Sequence, residues 1–278
     1  MKIGVSAFAW TARFDSSFFH ILPAMREHGL TAFEVPLFAP SQLATSPIRQ
    51  ALEASQLECT VCAILPPGIN PISPDGVVRS KSIEHLKQCV HTAAELGAKL
   101  LGGPLFAPIG YLPDWRPTAQ EWNWAVEAFA SLTDLLDSYQ IDLSIEPVNR
   151  SETFFIRTAA DAVALCQAVN HPRMGLTIDT FHANIEEKSL ADAIITAGPH
   201  LKHVHASEND RGLLGSGHVD FAGIVAALKS IGYNGYLMIE GFGYLPQVTD
   251  APGSLWADMN VSPEQVAFSG ADYLRTLL

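Results

Sequence analysis

Positive charge is scarce in this chain: 278 residues carry 17 Lys and Arg against 29 Asp and Glu, a formal net charge of −12. Gripping a nucleic-acid backbone needs clustered basic side chains, so no DNA or RNA partner is expected. Cysteine is as sparse. Four residues are too few for a disulfide framework in a chain of this length, and a reducing cytoplasm is the expected setting. No apolar run approaches the ~20 residues of a membrane span, so no membrane partner is expected either. The opening MKIGVSAFAW has only a short apolar run that leads directly to Arg13 and Asp15, which reads as a first strand and not as a cleaved leader. No G-x-G-x-x-G follows that strand, which argues against an open sheet built around a dinucleotide.

What the chain has in quantity is apolar patterning. Hydrophobic residues make up 48% and charged ones 17%, enough for a large core and too apolar for disorder. Strand-like runs alternate with helix-like ones: IGVSAFAW, a helix near Ser17 to His28, TAFEV, a helix around Ser46 to Ala54, LECTVCAIL, a helix near Arg79 to Leu96, and AKLLGG. A helix from Thr118 to about Tyr139 leads into IDLSIE. Then come Thr158 to Val169, MGLTID, a helix over Glu187 to Thr196, LKHVHA, Phe221 to Ser230, GYLMIE and a last helix over Pro263 to Leu277. Eight strands, each followed by a helix, predict an α/β fold of the (β/α)8 TIM barrel type, read as one domain over residues 1–278. Cys59 and Cys62 form a C-x-x-C inside a strand-like run, where an offset of three points them to opposite faces, unlike a redox pair.

In such a barrel the carboxyl ends of the strands converge on one mouth. Glu146 ends LSIE, Asp179 ends LTID, His205 ends KHVH and Glu240 ends YLMIE, at separations of 33, 26 and 35 residues, about the length of a strand, a helix and two loops. Any one acid at a strand end is more often a helix cap or a loop hydrogen-bonder than a ligand. Four at successive ends read together as candidate ligands of a metal ion. Three carboxylates and an imidazole are a hard, oxygen-rich set that suits Mn²⁺, Mg²⁺ or Co²⁺ better than a thiolate-bound zinc. Glu146 and Glu240, from the fifth and eighth strands, could face a ligand from two sides, one removing a proton from carbon and the other returning it on the opposite face. A carboxylate alone is too weak a base for a C–H beside a carbonyl, by roughly a dozen pKa units, on the order of 16 kcal/mol. A divalent cation would lower that barrier by neutralising the developing enediolate.

The segments SIEPVNRSE, TIDTFHANIEE, HVHASENDRGLLGSGHVDF and MIEGF resemble the metal-binding signatures of the D-tagatose 3-epimerase / D-psicose (allulose) 3-epimerase family, a group of xylose-isomerase-like barrels. The resemblance lies in the C-terminal half; the N-terminal half agrees in layout. It implies a ketose 3-epimerase that works on free ketoses through a cis-enediolate. Its one divalent ion, Mn²⁺ first, is held by Glu146, Asp179, His205 and Glu240, with Glu146 and Glu240 as the acid/base pair. It also implies substrate contacts from Glu152, His182 and Arg211 and assembly as a dimer or tetramer.

Other residues are weighed from their setting alone. His203 shares a strand face with His205 and is expected in a layer below it, not as a fifth ligand. Gly215-Ser216-Gly217 has the composition of a phosphate nest, but a tight turn before a helix capped by Asp220 is the simpler reading. Phe8, Trp10, Tyr111 and Trp115 are candidate walls of a sugar pocket. The segment GFGYLPQVTDAPGSLWADM after Glu240 departs from the family pattern, so the residues that hold the far end of a substrate are not assigned. The rival readings are a related sugar or sugar-phosphate isomerase, a hydroxypyruvate or inosose-type isomerase or dehydratase of the same barrel superfamily, a metal-dependent endonuclease, and a catalytically silent sugar-binding protein. The acidic charge weighs against the endonuclease.

Overall fold

The apolar runs become parallel strands closed on themselves. The computed structural model describes residues 1–242 and 260–278. Its strands are β1 (Lys2–Ser6), β2 (Ala32–Leu37), β3 (Glu58–Ala63), β4 (Leu100–Gly103), β5 (Asp142–Ile145), β6 (Met174–Asp179), β7 (Leu201–Ala206) and β8 (Tyr236–Ile239). Each pairs in parallel with its sequence neighbour, and β8 returns to β1 from Lys2↔Tyr236 to Val5↔Ile239, so the expected eight-stranded barrel is formed. Around it lie α1 (Leu22–Glu27), α2 (Thr45–Ala54), α3 (Gly76–Glu95), α4 (Ala119–Ala130), α5 (Thr133–Tyr139), α6 (Ala159–Val169), α7 (Thr180–Glu186), α8 (Leu190–Ala197), α9 (Phe221–Ser230) and α10 (Pro263–Leu277). Among the described residues, no helix is long and apolar enough to cross a membrane.

Alternation along each strand sorts the side chains. Phe33, Val35 and Leu37 of β2 join the large apolar cluster between barrel and helices, while Glu34 between them points the other way, into the barrel. The interior is polar at that level: Glu34, Thr60, Ser144, Thr177 and His203 are all buried. Ser144 and Thr177 share a hydrogen bond of 2.8 Å across β5 and β6. Cys59 belongs to the outer cluster and Cys62 to a small one at the mouth, so the two thiols do lie on opposite faces.

Four elements differ from the sequence expectation. The helix expected near Ser17 to His28 is a 3-10 stretch over Ser16–Ile21 followed by α1 from Leu22. The first strand stops at Ser6, and Ala7–Ala9 form a 3-10 turn that carries Phe8 over the mouth. The helix expected from Thr118 to Tyr139 is two helices, α4 and α5. The Ser131 hydroxyl donates back to Ala128 O at 2.6 Å and that of Thr133 to Ala130 O at 2.9 Å, competing with the helical ladder at the break. The helix expected over Glu187 to Thr196 is preceded by a short one, α7, that starts directly at the end of β6. Elsewhere local chemistry fixes the helix starts as read: Thr118, Thr158 and Ser262 each form a capping box with the residue three positions on.

Candidate active site

The last residues of β5 to β8 bring their side chains to one point. Glu146 follows β5, its N–H donating to Gly103 O at 3.1 Å, and Glu240 follows β8, its N–H donating to Ala206 O at 3.0 Å. Asp179 closes β6 and His205 lies in β7. Each offers one ligand atom, and the four atoms lie within 4.8 Å of one another. His205 Nδ1 is 3.2 Å from Glu146 Oε1 and 3.8 Å from Glu240 Oε1. All four side chains are buried.

Three carboxylates in one dry pocket need positive charge. Burial, and then the nearby Asp179 and Glu146, raise the Glu240 carboxyl to about 8 in spite of His205 and Arg211. Burial also opposes the charge on Asp179, but Arg211, His182 and His205 hold its pKa below the ordinary value. The donor set is hard, acid-rich and completed by one imidazole nitrogen, and so fits a divalent cation.

Asp179 answers both readings its position allowed. Its Oδ1 accepts the Phe181 N–H at 2.8 Å and caps α7, while its Oδ2 faces the cluster and accepts from Arg211 Nη1 at 2.8 Å. Arg211 is itself buried, with Nη1 also 2.6 Å from Glu240 Oε2 and 2.9 Å from Ser207 Oγ. Its guanidinium lies 4.0 Å from the Phe181 ring centre and 4.9 Å from that of Phe242, and its backbone sits at φ +62°.

His182 is held by a residue the sequence reading did not single out. The Asn149 backbone N–H donates to His182 Nδ1 at 3.2 Å, and Asn149 Nδ2 donates to Glu152 Oε1 at 2.9 Å. Nε2 on the other side of the ring faces Asp179 Oδ2 at 3.5 Å and the Arg211 Nη2 donor at 3.2 Å. Burial lowers the pKa of His182, so the neutral ring is favoured. Asn149 thus joins Glu152 to His182, and His182 in turn meets Arg211.

A second missed residue is Glu34, in the layer below. It is fully buried, with Oε2 2.9 Å from His203 Nε2 and Oε1 3.0 Å from His205 Nε2. His203 therefore occupies the lower layer expected of it. The signal was visible as the one charge inside the apolar run AFEVPL. Cys62 is close to Glu34 and His205. Burial and the carboxylates Glu146, Glu34, Glu240 and Asp179 push its thiol well up, so it is a neutral wall and not a nucleophile.

The candidate aromatic walls separate. Phe8 packs on Phe38 at 6.1 Å and on Phe242 at 5.3 Å, next to the ring that covers Arg211. Tyr111 stands edge-on to Phe154 at 5.7 Å. Trp10 and Trp115 instead hold helix starts, donating to Glu264 at 2.8 Å and Glu121 at 3.0 Å. The glycine turn is an internal structure: Glu208 accepts the N–H groups of Gly215 at 3.0 Å and Val219 at 2.9 Å, and Asn209 Oδ1 accepts that of His218 at 3.0 Å. Asp220 caps α9, as expected. Of the segment after Glu240, all but Gly241 and Phe242 lies outside the described residues.

Comparison with known proteins places this geometry. The model of the xylose isomerase-like TIM barrel family matches residues 22–277. A ketose 3-epimerase of Arthrobacter globiformis is 31% identical over 93% of this chain and 91% of its own length. A probable ketose 3-epimerase of Synechocystis is 29% identical over 99% and 96%. The crystal structure of a D-allulose 3-epimerase from Methylomonas sp. in complex with D-allulose superposes with a TM-score of 0.93 at 27% identity, covering 100% of this chain and 97% of that one. The chain therefore belongs to the xylose isomerase-like TIM barrel family, in the group that holds the ketose 3-epimerases.

Proposed function

We propose that this carbohydrate epimerase inverts C3 of a free ketose through a cis-enediolate, with Glu146 and Glu240 as its two proton carriers and one divalent ion, Mn²⁺ first, held by Glu146, Asp179, His205 and Glu240. The observation that carries this reading is the convergence of those four buried side chains within 4.8 Å. A bound divalent cation would supply positive charge where negative charge develops on adjacent substrate oxygens.

The protein's own side chains do the rest. Glu146 and Glu240 reach the point from β5 and β8, so one can take the C3 proton while the other returns one to the opposite face. His182 and Arg211 stand beside the cluster to contact substrate oxygens, Arg211 as a fixed cation. Glu152, steadied by Asn149, accepts from a hydroxyl. Phe8 and Phe242 shield the mouth from water. A free sugar, not a phosphorylated one, suits a site whose nearby loop already directs the N–H groups of Gly215, His218 and Val219 onto Glu208 and Asn209. The unpaired, buried state of all four cysteines suits a cytoplasmic enzyme, and the family resemblance implies a dimer or tetramer.

Incubation with a ketose and Mn²⁺ in deuterated water tests the chemistry. The epimer formed should carry deuterium at C3, and Glu146→Gln and Glu240→Gln should each abolish labelling. Full exchange in either variant would overturn the assignment of roles.

A further inference from the structure

We propose that Glu34 is a positioning residue that makes His205 a metal ligand through Nδ1. The inference rests on the metal reading above. A carboxylate with no solvent exposure in the middle of an apolar strand is expensive unless it is fully paired. Each oxygen of Glu34 faces an imidazole: Oε1 lies at ion-pair distance, 3.0 Å, from His205 Nε2 though out of line for a hydrogen bond, and Oε2 lies 2.9 Å from His203 Nε2 and accepts the Thr60 hydroxyl at 3.1 Å. Strands β2 and β7 are not neighbours in the barrel, so these contacts cross its interior.

The two nitrogens of His205 face different groups. Nε2 faces Glu34, and Nδ1 faces Glu146 at 3.2 Å and Glu240 at 3.8 Å. A neutral imidazole has one N–H, and the negative charge of a carboxylate 3.0 Å from Nε2 favours that proton on Nε2. That leaves the Nδ1 lone pair aimed at the acid cluster, where a cation would be held, and the negative charge behind the ring strengthens it as a donor. His203 holds the other oxygen of Glu34 and stacks edge-on to His205 at 4.9 Å and 81°, so the carboxylate cannot turn away.

Glu34→Gln keeps the shape and removes the charge. Its amide has a single oxygen for two imidazole donors, and its NH₂ opposes the second. Calorimetric titration with Mn²⁺ should show the dissociation constant of this variant raised about tenfold to a hundredfold over wild type. Activity should return toward the wild-type kcat as Mn²⁺ is raised, which a general loss of structure would not give. Glu34→Asp, which keeps the charge, should recover part of the affinity. Glu146→Gln is the control: it should also weaken Mn²⁺ binding, without recovery of activity at saturation. If Glu34→Gln binds Mn²⁺ within about twofold of wild type while Glu146→Gln does not, Glu34 has no positioning role. If wild type takes up no Mn²⁺, or Glu146→Gln leaves uptake unchanged, the metal reading itself fails and this inference with it. Should Glu34→Gln not fold, His203→Gln removes the anchor while leaving the charge, and unchanged Mn²⁺ affinity there would overturn the proposal.

Discussion

Replacing Gly103 with Ala should damage the barrel mouth and the site together. Gly103 ends β4 at φ +125°, a region that side chains rarely adopt. A Cβ there would collide with the carbonyl oxygen of Ala63 on the adjacent β3 and sit 3.1 Å from its carbonyl carbon. The backbone strain is worth about 1–3 kcal/mol and the overpacking against rigid backbone about as much again, so the total is roughly 2–6 kcal/mol. At about 2 °C per kcal/mol for a protein of this size, Tm should fall by at least about 4 °C. The Gly103 carbonyl also accepts the Glu146 N–H at 3.1 Å, so any shift of this strand end moves a metal-site carboxylate. Mn²⁺ affinity should fall as well. Gly110→Ala supplies the comparison: its φ is +81°, but a Cβ would meet nothing within 4 Å, so only the backbone strain of about 1 kcal/mol applies. Differential scanning calorimetry of both variants separates the two contributions. Equal melting temperatures for Gly103→Ala and Gly110→Ala would show that the collision with Ala63 does not exist.

Two further outcomes follow from the loop that carries Glu152. The Glu186 side chain is 2% exposed and accepts the Arg150 N–H at 2.7 Å and Nε at 2.8 Å. Burial opposes its charge, but these bonds prevail and hold its pKa below the ordinary value. Its stabilisation is therefore present at neutral pH and lost as pH falls below about 4. Glu186→Gln should be less stable than wild type by about 1–3 kcal/mol at pH 7, with the gap closing in acid; a gap independent of pH in denaturant titrations would refute the account. Asn149→Ala keeps the backbone N–H to His182 but loses the side-chain contacts to Glu152 and to His182 Nδ1, each 2.9 Å, so KM for the ketose should rise about fivefold, the equivalent of ~1 kcal/mol, with kcat little changed. An unchanged KM in steady-state assays would remove Asn149 from the binding side of the site.

How much of this was legible in the sequence depended on range. The alternation of apolar runs gave eight strands and their order, because a side-chain period of two and a helical period of 3.6 are local properties of the chain. Spacing marked Glu146, Asp179, His205 and Glu240 as strand ends, and the closed barrel brings such ends to one mouth. The break between α4 and α5 was not legible, since it turns on whether Ser131 and Thr133 bond back to the helix or face water.

Sequence placed His203 in the second layer of the site, but tertiary structure alone decided its partners. Glu34 precedes His203 by 169 positions, and nothing in AFEVPL says which partner the acid will find. Asn149 is one of several polar residues in its loop until α7 places His182 beside it. Periodicity tells which face a residue takes, but hydrogen bonds across the barrel interior depend on strand register and closure, and these exist only once all eight strands are in place.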